Sequence, residues 1–194
     1  MRDTLLGRVL AGYGGVRASF RMEEERRPQE SRLLFYAMLA MTVVFVARLP
    51  ALVRDIPPPQ PGADDPGPAF VGALFVSHVL FGPLMLYVLA AVSHVVSGWL
   101  GGQGSHYASR LALFWALLLV APLTLVAGMI NSLARMGGVD LAELPSAVAS
   151  LVSLWFWSLC LTEAERFEHS APTFIALVAV PAVTMALLWL AGSA

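Results

Sequence analysis

The sequence predicts an all-α polytopic membrane protein: a bundle of five transmembrane helices preceded by a short N-terminal amphipathic arm. Three observations carry this. Apolar stretches, each long enough to cross a bilayer, fill most of the 194 residues. Hydrophobic residues make up 58% of the chain and charged residues 13%. Mean hydropathy is +0.73, more apolar surface than one soluble core of this size can hide.

Residues 1–30 form the arm, expected on the cytoplasmic side, and residues 31–194 the membrane domain. In the arm, Leu5, Leu6, Val9, Leu10, Tyr13, Val16 and Phe20 share one helical stripe, flanked by Arg2 and Arg17. The pattern fits an interfacial helix on an anionic leaflet, although Gly12, Gly14 and Gly15 each oppose helix by about 1 kcal/mol relative to Ala. A lipid- or partner-binding arm and a solvated tail both remain open. The run from Glu23 to Pro28 is expected to be a solvated charged turn. No apolar h-region lies between the early charges, so the first span is expected to act as an uncleaved anchor.

The spans are expected at about 33–53, 70–100, 107–132, 144–161 and 173–190. Arg48 and Pro50 lie near the end of the first, where an Arg can snorkel and a Pro breaks few bonds. Residues 56–68 hold a proline-dense run that forbids helix and predicts a stiff loop. Span two is too long for the membrane core, and Gly82-Pro83 predicts a kink in it. Pro122 and Pro181 lie inside spans three and five. Nine of the twelve Arg fall on the arm's side of the bundle and three, Arg48, Arg54 and Arg135, on the other. The positive-inside rule then places the N-terminus in the cytoplasm, and five spans put the short C-terminus outside. Tyr36, Trp99, Tyr107 and Trp157 are expected as interfacial anchors on the inner side.

Small residues suggest helix-packing faces: Ser146, Ser150 and Ser153 on span four, and Ala179, Ala182 and Ala186 on span five. A net charge of −1 gives no electrostatic case for nucleic acid. The single cysteine, Cys160, excludes an intrachain disulfide and a Cys-rich metal site. No cofactor, metal or catalytic residue is expected. Expected partners are membrane lipids and another membrane protein or a second copy of the chain.

Ionisable groups in the spans are few. His78, His94 and Asn131 are the candidates for a polar interior. The two histidines lie sixteen residues apart, about 160° around a helix, so they cannot share one metal or haem. Serine catalysis needs a Ser beside a His on a neighbouring span, and adjacent Ser105 and His106 give no such geometry. Glu163, Glu165, Arg166, Glu168 and His169 are expected to form a solvated, self-neutralising loop. No phosphate-binding loop or dinucleotide fingerprint is present. The absence of an Asp or Glu in mid-membrane argues against a proton- or sodium-coupled carrier.

The connection between spans two and three is the most distinctive segment. It carries Gly101, Gly102 and Gly104 in a turn, Tyr107 and Arg110 entering the next helix, and Pro122 about twelve residues on. With a polar arm ahead of five spans, this resembles the bacterial Yip1-domain membrane proteins over about residues 31–190. The proline-rich loop and Trp115 lie outside that pattern. The resemblance implies the five-span plan and no catalytic residue; eukaryotic relatives are linked to membrane traffic and small GTPases through their cytosolic arms. The glycines can adopt positive backbone angles and reverse the chain, and Arg110 can snorkel to lipid phosphate or pair with a neighbouring group. A non-enzymatic scaffold or accessory subunit is the function expected, with a small channel or transporter lined by kinked spans two, three and five as the alternative.

Overall fold

The computed structural model describes residues 4–56, 65–141, 144–170, 173, 174 and 177. Among these, every regular element is helical. Two short helices, α1 (Leu5–Gly12) and α2 (Val16–Arg26), precede α3 (Glu30–Leu52), which ends in a 3-10 turn over Val53–Asp55. Next come α4 (Gly67–Phe75), a π-turn (Val76–Phe81) and α5 (Gly82–Trp99), which run on as one helix. Then follow α6 (His106–Met136) and α7 (Leu144–Ala164). Four of the described helices are long and apolar enough to cross a membrane: α3, the continuous Gly67–Trp99, α6 and α7. Most of the expected fifth span, with Ala179, Ala182 and Ala186, lies outside the described residues, as does the proline run at 57–64.

Local chemistry explains the elements. Pro83 lacks an N–H and its ring crowds the preceding turn, which opens into the π-turn directly before Gly82-Pro83. His78 Nδ1 lies 3.1 Å from the Leu74 carbonyl, close enough to bond a backbone acceptor in this loosened stretch. Ser105 caps α6 by accepting from Ala108 N at 3.1 Å. At 31 residues α6 is about 46 Å long, well beyond a 30 Å hydrocarbon core.

Helix α6 is the axis of the bundle. Its first half is buried all round, with Leu111, Phe114, Trp115 and Leu119 at 1% exposure or less, because α1, α2, α3, α5 and α7 pack about it. Its second half exposes Val126, Met129, Ile130 and Leu133. Leu84, Met85, Val88, Val92 and Val95 form a similar exposed strip on α5. Strips of this extent suit lipid rather than water. Helices α3 and α6 touch backbone to backbone at Gly128, where a Cβ would strike the Ala47 carbonyl.

The arm is not a solvated tail. The stripe is not one interfacial helix, because the chain breaks over Tyr13–Gly15 and folds back as a helical hairpin against α6 and α7. Val9, Val16 and Phe20 face the bundle and are buried, while Leu6, Leu10 and Met22 stay exposed. Tyr13 at the hairpin's turn donates to the Leu119 carbonyl at 2.5 Å. Leu119 lies 13 residues beyond His106, so the turn reaches about 20 Å along α6. Two expected interfacial anchors are interior instead: Tyr36 is 1% exposed and Trp157 7%.

Candidate functional site

The end of the bundle that carries the arm holds two polar clusters, one built on Glu165 after α7 and one inside the arm, with Glu163 of α7 gripping the arm between them. Glu163 and Glu165 lie two residues apart, about 200° around a helix, so they face opposite ways. Glu163 faces the arm, bound by Arg21 Nε at 2.7 Å and Arg17 Nε at 3.3 Å. Glu165 faces the turn between α5 and α6 and is fully buried.

Three elements converge on Glu165. Its Oε1 accepts from Ser109 Oγ at 2.6 Å and from His94 Nδ1 at 2.7 Å. Its Oε2 accepts from Gly104 N at 3.1 Å, and its carbonyl from Gln103 N at 2.9 Å. The His106 ring lies 4.1 Å from the His94 ring, centre to centre. A carboxylate at a helix C-terminus opposes the helix dipole, and these donors offset that cost.

The glycine turn is shaped to this carboxylate. Of the turn's three glycines, Gly101 alone takes a positive φ, at +90°. Gly102 and Gly104 are needed for space. A Cβ at Gly104 would lie 2.6 Å from Glu165 Oε2 and strike the Ala164 carbonyl; one at Gly102 would lie 2.9 Å from the same oxygen.

The second cluster fastens the arm. Arg8 pairs with Glu23, which is 2% exposed, so the expected solvated turn at Glu23 is overturned. Tyr36 completes the triangle, donating to Glu23 Oε1 at 2.8 Å and accepting from Arg8 Nη2 at 3.3 Å. Burial works against the charge on Arg8, but hydrogen bonds from it to Glu23 and Tyr36 outweigh this and raise its pKa. Trp115 donates to Ser19 Oγ at 3.2 Å, and the Arg8 guanidinium lies 5.8 Å from its ring centre. Tyr107 donates to the Pro28 carbonyl at 2.8 Å, and Arg110 pairs with Glu30 at 3.3 Å.

The remaining sequence candidates are scattered. His78 sits against Phe45, far along the same continuous helix from His94. Asn131 Nδ2 donates to Ser146 Oγ at 2.7 Å, joining α6 to α7 near the other end. Ser150 is exposed and bonds its own helix, Ser153 is half-buried, and Pro122 lies within an unbroken α6. Sequence reasoning placed Glu165 in a solvated loop and did not single out Ser109. The signal was His94 on an apolar helix, with a lone small polar residue at 109 one turn into the next.

Ser109 Oγ lies 3.2 Å from His94 Nδ1, so a Ser and a His from neighbouring spans do meet. The serine's shortest contact is nevertheless to the carboxylate, on the same oxygen that binds the imidazole. Both donors converge on one acceptor, rather than passing a proton in sequence from hydroxyl to imidazole to carboxylate. Chemically this is a latch that ties α5, α6 and α7 together. Among the described residues, no group of three His, Cys, Asp or Glu could hold a metal ion.

An all-helical bundle with lipid-suited outer strips and interior polar latches defines an integral membrane protein. The family model described as the Yip1 domain matches residues 17–191, and the chain belongs to that family. Neither the curated proteins nor the solved structures yielded a match.

Proposed function

We propose that this chain is a non-enzymatic inner-membrane protein that acts by binding another membrane protein or lipid, as a scaffold or accessory subunit. The observation that carries this reading is the docked arm. Its Arg17 and Arg21 pair with Glu163 of α7, and its own Arg8–Glu23 pair is tied to α3 through the Tyr36 hydroxyl. Its exposed face keeps Leu6 at 66%, Leu10 at 57% and Met22 at 54% exposure, an apolar surface held rigidly at one end of the molecule. The convergence of Ser109 and His94 on one Glu165 oxygen favours a structural over a catalytic role. The concentration of Arg at the arm's end favours a cytoplasmic arm and a bacterial inner-membrane location.

The test is gentle extraction of tagged protein from native membranes, with mass spectrometry of what accompanies it. A stoichiometric partner lost in Leu6→Glu/Leu10→Glu is the expected result. A homogeneous particle with no partner in either form sinks the proposal. The alternative, a channel or transporter lined by spans two, three and five, draws support from the π-turn before Pro83. The large cavity, however, lies among α3, α6 and α7.

A further inference from the structure

Beyond the α3–α6 contact at Gly128, three helix ends enclose a cavity of about 860 Å³ at the end of the bundle remote from the arm. Small residues leave the room: Ala51, Ala127 and Ala149 are among its walls. Arg48, Arg54 and Arg135 all line it, and these are the three arginines of the chain assigned to that side. No Asp or Glu is among the described residues lining it. We infer that this cavity is a binding site for the anionic headgroup of a phospholipid, with acyl chain lying against its apolar wall.

The chemistry follows from the lining. Guanidinium groups match phosphate oxygens in pairs and are held at a helix end, at headgroup depth. The apolar part of the wall favours an amphiphile over a free anion. The cavity opens among α3, α6 and α7, whose outer faces already meet lipid, so an acyl chain can enter without crossing a polar barrier. This site lies at the opposite end from the arm, so lipid binding here and partner capture there can each fail alone.

The experiment uses the full chain in lipid-free detergent, titrated with dioleoylphosphatidylglycerol, dioleoylphosphatidylcholine or inorganic phosphate. Binding is read by native mass spectrometry and by the shift in Tm. Phosphatidylglycerol is expected to bind and raise Tm, with phosphatidylcholine and phosphate far weaker. Arg48→Gln/Arg54→Gln should weaken phosphatidylglycerol at least about tenfold, from roughly fivefold per basic residue at an anionic headgroup. Arg48→Lys/Arg54→Lys should retain most of the binding, which controls for fold. Ala147→Leu, which fills the cavity and leaves the charges, should also weaken the lipid. Equal binding of the two lipids, binding unchanged in both the Gln and the Leu variants, or phosphate alone matching the lipid would overturn the inference.

Discussion

Gly104 shows how one missing side chain fixes a polar latch. The backbone there approaches the Ala164 carbonyl and the Glu165 carboxylate closely enough to exclude a Cβ. Gly104→Ala is therefore expected to destabilise by about 1–3 kcal/mol in thermal unfolding in detergent. Gly98→Ala is the contrast: nothing lies within 4 Å of its Cβ position and it sits inside α5, so a gain of up to about 1 kcal/mol is expected. Glu165→Ala should cost about 1–3 kcal/mol for each part-buried donor left unbonded, chiefly His94 Nδ1 and Gly104 N, while Ser109 Oγ keeps the Ser105 carbonyl at 3.1 Å. Glu165→Gln should recover only part, because an amide N–H₂ must then face a donor. The glycine turn was legible as a turn, from composition alone. Its purpose was not, because the carboxylate it receives is 61 residues away in sequence. A cluster of charges after an apolar helix looks solvated until tertiary packing covers one of them.

At the level of elements, the arm and the bundle behave as one unit. Arg8 and Glu23 form a buried pair, and removing either leaves the other charge without its partner. Arg8→Ala or Glu23→Ala is expected to cost about 3–5 kcal/mol, and the double variant less than the sum. Detachment of the arm can be read directly as faster trypsin cleavage after Arg26, which lies exposed at the end of α2; Pro28 blocks cleavage after Arg27. If the single variants leave cleavage unchanged, the pair does not hold the arm. Hydrophobic periodicity located the arm's stripe and the long apolar helices. It could not tell a helix lying on a membrane from a hairpin folded against α6, since both bury one apolar face. Trp115 held the missing clue: an indole N–H in an apolar helix needs an acceptor, and Ser19 supplies it.

For the whole molecule, the orientation in the membrane can be tested directly with cysteine labels. Cys160 is buried, and burial in the bundle is expected to leave it unreactive toward maleimide until the protein is denatured. The native chain thus offers a quiet background for introduced cysteines. With the arm in the cytoplasm, Val139→Cys, at an exposed position, should label with an impermeant maleimide in intact cells and Glu168→Cys only after lysis; the reverse pattern inverts the topology. The plan of long apolar helices was legible because lipid imposes length and hydropathy on the sequence directly. The latches were not, because they depend on which helix ends meet. Those meetings also impose an order on biogenesis. The arm leaves the ribosome ahead of the bundle, yet Glu163, which its arginines grip, comes near the end of α7. His94 and Ser109 likewise wait for Glu165. A nascent chain halted after Met136 would carry an arm held by Tyr36, Trp115 and their neighbours, and arrival of α7 is the step that closes the Glu163 and Glu165 contacts.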